Sequence, residues 1–174
     1  MRHLQTILSS ASFFATLSLL PVAADAANGS LNPKAACTSY RTCVAKSSGK
    51  NFACLKEALL AGKYLKRRLG GAQAKDAGKE LAKEGFQNVE GSFEDRQLPE
   101  GAVLVIGEGP CSEGENKPDA GNVLLFCDGK WVDRYVHEPE FYKRQGCPTA
   151  GIWLHREMKV RPPADGAEKR GHHD

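Results

Sequence analysis

The sequence predicts an α+β domain, with N-terminal helices packed on a small antiparallel sheet. Three observations carry that expectation. Between Phe52 and Leu69 the apolar residues recur at three- and four-residue steps, the spacing of one helix face. After Leu98 the pattern changes to short continuous apolar runs separated by polar loops. Asp128-Gly129 stands between two of those runs, a strong signal for a two-residue hairpin. Helices first and hairpin-linked strands afterwards is the order of an α+β chain.

Each element follows from local chemistry. Ala36 to Val44 suits a short helix or turn, and Cys37 and Cys43 could bridge locally. Ser47 to Lys50 is a loop, and Asn51 stands where a helix cap would stand. The helix over Phe52–Leu69 buries Leu55, Ala58, Leu59, Leu65 and Leu69. It turns Lys56, Lys63, Lys66 and Arg67 to water, and Gly70-Gly71 ends it. A second helix runs from about Ala74 to Glu84, stopped by Gly85. Ala102–Ile106 reads as a buried strand, Gly107–Ala120 as a polar loop, and Gly121–Cys127 and Lys130–Val136 as the two arms of the hairpin. Ile152–Met158 is the last strand.

The ends and the cysteines bear on compartment. Arg2 and His3, the uncharged apolar run Ile7–Leu20 and Ala24-Asp25-Ala26 predict a signal peptide over residues 1–26. The run is short of the roughly 20 residues a membrane span needs, and no later segment could cross a bilayer. The exported part is then 174 − 26 = 148 residues. It divides into a polar lead-in (27–50), the domain (51–160) and a charged tail (161–174) that carries His172 and His173. All six cysteines lie in the exported part, where disulfides are permitted. Cys111 and Cys127 flank the polar loop, and a bridge between them would close it onto the strand end, one of the 15 full pairings that six cysteines allow and sequence alone does not choose among. A periplasmic or secreted location follows.

Composition narrows the function. A formal net charge of +3, with few aromatics and none interleaved among the basic residues, gives no reason to expect a nucleic-acid partner. No Cys-x-x-Cys or His-x-x-x-His occurs, so no metal is expected. The glycines at 107 and 109 lack a following lysine and form no phosphate loop, and no other cofactor motif stands out. The basic cluster Lys63–Arg68 is either a solvated face or a point of attraction for an anionic polymer.

Four segments together carry a resemblance: the run from Cys54 (CLKEALL), the run from Leu69 (LGGAQAKDAG), Leu98-Pro-Glu-Gly-Ala-Val-Leu-Val, and Gly121-Asn-Val-Leu-Leu-Phe with Asp128-Gly129. In this order they resemble the NlpC/P60-like, papain-related cell-wall cysteine hydrolases. The resemblance implies a helix headed by a nucleophilic cysteine, a strand opening with Gly-His that supplies the base, and a third polar group orienting that histidine. Carried over, Cys54 matches the nucleophile, Asn122 falls on the base position and Asp133 near the third. An amide cannot accept and return a proton, so Asn122 is a departure. Counting outward from Asp128-Gly129 sets Leu124 opposite Asp133 and Asn122 opposite Tyr135, with His137 diagonal to Asn122 and a candidate displaced base.

Each of these residues has a structural reading beside the catalytic one. Cys54 is a nucleophile or a disulfide partner; Asn122, Asp133 and His137 are site groups or ordinary strand residues. His155 beside Trp153 packs or caps. Two functions follow. One is a cysteine hydrolase of the peptidoglycan stem peptide, with Cys54 attacking, His137 as base and Asp133 or Asn122 orienting it. The other is a catalytically inactive domain, fully disulfide-bonded, that binds a cell-wall peptide or a periplasmic protein.

Overall fold

The computed structural model describes residues 30–47, 49–109, 111 and 120–160. The predicted signal peptide, the charged tail with His172 and His173, and most of the polar loop lie outside the described residues. What is described is an α+β chain. Helices α1 (Pro33–Lys46), α2 (Asn51–Ala61) and α3 (Ala77–Lys83) come first, and α4 (Phe141–Gln145) comes late. Strands β1 (Phe86–Asn88), β2 (Val103–Ile106), β3 (Asn122–Cys127), β4 (Lys130–Val132), β5 (Val136–His137) and β6 (Thr149–His155) form one antiparallel sheet in the order β1-β6-β2-β3-β4-β5.

Helix α1 is longer than its apolar pattern suggested. The Asn32 side-chain oxygen accepts the Ala35 N–H at 3.0 Å, and Pro33 takes the first helical position, where a missing N–H costs nothing. A helix of this length forbids a local bridge between Cys37 and Cys43, which the sequence left open. Six helical residues rise about 9 Å, beyond the reach of a disulfide. Cys37 instead joins Cys127 across a sequence separation of 90, and Cys43 joins Cys54. With Cys127 taken, Cys111 closes on Cys147 rather than on the strand end.

Helix α2 stops at Ala61, well before the predicted Leu69. The Lys63 N–H returns to the Leu60 carbonyl at 3.0 Å, and the Tyr64 N–H to the Leu59 carbonyl at 2.9 Å. With Lys63 at φ 60°, this is a Schellman stop built on a lysine in the left-handed region. Gly62 serves proximity instead: a Cβ there would lie 2.7 Å from the Ala36 Cβ of α1. Leu65 and Leu69 are buried all the same, in irregular chain, so their helical spacing misled. Lys56 also departs from expectation. It is buried, donates to the Gly71 carbonyl at 2.6 Å and lies 4.2 Å over the Phe52 ring. Burial, and then the neighbouring Arg68 charge, lower its pKa against the opposing pull of Glu80.

The strands explain their own continuous apolar runs. Val103, Val105, Val123 and Leu125 join residues of α1, α2 and α3 in one buried cluster. Leu104, Ile106, Leu124 and Phe126 join Trp131, Phe141, Tyr142 and Leu154 in a second. Successive side chains of a strand point to opposite faces; both faces are covered here, so no polar alternation appears. Asp128 and Gly129 have φ 53° and 74°, the two left-handed residues of a type I′ hairpin. Beneath the second cluster Asp95 is fully buried. Its carboxylate accepts the Trp131 Nε1–H (2.6 Å), the Glu140 N–H (2.7 Å) and the Tyr142 hydroxyl (2.8 Å). The charge beside Tyr142 and the burial of that phenol push its pKa well up, burial first.

Three predicted elements change. The return arm of the hairpin breaks at Asp133: the ladder ends at Leu125 opposite Val132, and β5 turns back onto β4. The Asp133 carboxylate takes the Tyr135 N–H at 2.7 Å, so a side chain replaces the strand partner and closes a tight turn. The pairings of Leu124 with Asp133 and of Asn122 with Tyr135 are therefore not made. The last strand starts earlier than expected, at Thr149, and crosses back between β1 and β2, so the sheet is not a simple meander. Strand β1 and helix α4 were not anticipated.

His155 packs, as one of its two readings held. Its ring meets Phe86 edge-on at 5.2 Å and Tyr64 at 6.1 Å. Burial depresses its pKa below the ordinary 6.5, with Glu157 opposing and Arg156 assisting. The folded chain then resists protonation where the unfolded chain accepts it. Stability is full above about pH 6.5 and falls as pH drops through the window beneath. Urea titrations from about pH 7 to about pH 5 should show this decline, and His155→Phe should flatten it. Equal slopes for the two proteins would remove His155 as the cause.

Candidate functional site

The head of α2 is Asn51, not a cysteine. Asn51 is 8% exposed and donates its side-chain N–H to Asn122 Oδ1 at 2.8 Å. Asn122 opens β3, and its Nδ2 donates to Asp133 Oδ2 at 3.0 Å. The Val123 N–H also points at Asn122 Oδ1, at 2.8 Å. A backbone N–H can only donate, so the oxygen of Asn122 must face it, and the amide must turn its nitrogen to the carboxylate. That orientation makes Asn51 a donor in turn. His137, the last residue of β5, places Nε2 3.1 Å from Asp133 Oδ1 and stacks on Phe141 at 4.2 Å. Since the carboxylate accepts, Nε2 carries the proton.

The result is a continuous hydrogen-bonded chain from the buried Asn51, Asn122 and Asp133 to the half-buried His137. Tyr40 of α1 lies close by, its hydroxyl donating to the Val123 carbonyl at 2.7 Å. Complete burial, followed by the Asp133 charge, raises that phenol far above its usual range and keeps it a neutral donor. A cavity of about 30 Å³ is lined in part by Asn122, Asp133, His137 and Phe141, room for about one water. A larger groove of about 360 Å³ opens at the head of α2, between Lys50, Phe52 and Ala53 on one side and Gln73, Ala74 and Ala120 on the other.

Cys54 lies one turn into α2, three residues beyond its head. It is 0% exposed, and its sulfur is bonded to that of Cys43. Its N–H already serves the helix, donating to the Lys50 carbonyl at 2.9 Å, so it lacks the free N–H groups of a helix start. Of the two readings of Cys54, nucleophile or disulfide partner, its sulfur takes the second. Of the four residues singled out from sequence, Asn122, Asp133 and His137 come together and Cys54 stands apart from their hydrogen-bond chain. Asn51 was read only as a cap. The local signal it offers is its place at the start of the helical pattern. Among the described residues no group of three or more His, Cys, Asp or Glu side chains could hold a metal ion. No helix among them is long and apolar enough to cross a membrane.

No protein-family model matches the chain, and no curated protein matches it in sequence. One similar solved structure is a chain of the type VI native effector-immunity complex Tae3-Tai3 from Ralstonia pickettii. The two share 17% identity at a TM-score of 0.50, over 71% of this chain and 98% of that one. The likeness is one of fold.

Proposed function

We propose that this chain is an exported, disulfide-bonded domain of the NlpC/P60-like type that binds a cell-wall peptide and does not cleave it. The observation that carries the reading is the Asn51–Asn122 hydrogen bond at the head of α2. Where the resemblance calls for an imidazole stands the neutral amide of Asn122, held by a second amide, Asn51, and the cysteine matched to the nucleophile, Cys54, is bonded to Cys43. An amide offers neither a nucleophile nor a base near neutral pH. The three disulfides, which use all six cysteines, suit an oxidising compartment. Asp133 and His137 then serve to hold Asn122, and the groove beside Asn51 receives the peptide. A second reading, in which a protein takes the place of the peptide, is supported by the description of the fold neighbour as an effector-immunity complex.

The test uses the oxidised protein and insoluble peptidoglycan sacculi. Co-sedimentation without release of soluble fragments is expected, together with no alkylation of Cys54 in mass mapping. Ala53→Trp fills the groove and should abolish co-sedimentation while leaving the unfolding midpoint in place. Fragment release that Cys54→Ala removes would overturn the reading in favour of a hydrolase. Absence of co-sedimentation would leave the protein-partner reading in its place.

A further inference from the structure

A second groove, of about 370 Å³, lies at the other end of the strands from Asn122. Ile106 faces Asn122 across β2 and β3, whereas this groove sits at the turn before β2, beside Glu100. Its floor is apolar: Leu31 ahead of α1, Tyr64 after α2, Pro99, and Met158 after β6. The floor is preformed. Tyr64 is buried, donates to the Glu100 carbonyl at 3.2 Å and rests against the rings of Phe86 and His155. Gly101, at φ 90°, lets the turn close over that ring; a Cβ there would lie 2.1 Å from the Tyr64 hydroxyl. The rim carries Glu100, Glu157 and Lys159. Among the described residues none of the three enters an ion pair, and the rim sets two acids against one lysine. The Glu100 carboxylate accepts the Asp128 N–H at 3.2 Å, which holds it at the rim.

We propose that this groove docks a lysine- or arginine-bearing segment of a protein partner, the alkyl stem on the apolar floor and the cationic head between Glu100 and Glu157. The chemistry follows from the lining. Long basic side chains bury their methylenes and keep the charge at the surface, and a net negative rim selects the cation. The site is separate from the Asn51–Asn122 pair, and neither stands or falls with the other.

The probe is acetyl-Leu-Arg-Leu-amide, titrated into the 15N-labelled oxidised protein, with the citrulline peptide as its uncharged counterpart. Saturable shifts at the amides of Tyr64, Glu100, Gly101 and Met158 are expected for the arginine peptide alone. The pair Glu100→Gln and Glu157→Gln should weaken binding roughly tenfold without changing the fold. Equal shifts with citrulline, no saturable shift, or no effect of the paired substitution would overturn the proposal. So would binding that emerges only after residues 161–174 are deleted, since the groove would then belong to the chain's own Lys169 and Arg170. Dimerisation that the paired substitution abolishes would assign the groove to a second copy instead.

Discussion

Asp95→Ala should cost about 4 kcal/mol of unfolding free energy or more. The carboxylate is fully buried and answers three donors, the Trp131 indole N–H, the Glu140 backbone N–H and the Tyr142 hydroxyl. Hydrogen bonds to a charged acceptor contribute about 1.5–3 kcal/mol each, and removing the acceptor leaves its donors buried without partners. Asp95→Asn separates charge from geometry. Trp131 and Glu140 both address Oδ2, so the amide oxygen can serve them together. The nitrogen then faces Tyr142, whose hydroxyl can rotate to accept. About half the loss is expected for Asn. Urea unfolding followed by tryptophan fluorescence reads both variants, Trp131 being fully buried. A loss for Ala below about 1 kcal/mol would mean that water replaces the carboxylate, and the network would not be a principal support of the second cluster.

Opening the Cys37–Cys127 bridge should be the most damaging change among the three disulfides. It closes the longest loop, with a sequence separation of 90, against 36 for Cys111–Cys147 and 11 for Cys43–Cys54. In the chain-entropy model these loops are worth about 4.5, about 4 and about 3 kcal/mol in that order. The first bridge also ties α1 to the end of β3 inside the main cluster. For a domain of this size, paired Cys→Ala replacement at 37 and 127 should lower the melting temperature by roughly 15 °C. Replacement of Cys43 and Cys54 should lower it less. The reverse order would show that local packing around the buried Cys54, and not loop closure, sets the contribution of each bridge.

Much of the framework was legible because its causes are local. Val103–Ile106 and Val123–Cys127 read as strands since each is an uninterrupted apolar run, and Asp128-Gly129 reads as a hairpin since few other pairs tolerate two positive φ angles. Gly85 was legible as a helix stop for the same reason, at φ 88°. The candidate site was half legible. Counting from the hairpin brought Asn122, Asp133 and His137 to one neighbourhood, although the pairings used to reach it are not those formed.

The sequence by itself determined the α+β class, the β3–β4 hairpin and the export-compatible cysteine content, because these depend on residue type and short spacing. Tertiary structure decided where α2 ends, since Leu65 and Leu69 are buried without being helical and only packing against α1 at Gly62 distinguishes the two. It also decided the turn at Asp133, where a side chain outcompetes the strand for the Tyr135 N–H. The disulfide partners followed from which chain segments meet, and that is a property of the assembled core. The identity of the residue at the head of α2 followed likewise: Asn51 meets Asn122 across 71 positions of sequence, a juxtaposition that no local spacing encodes.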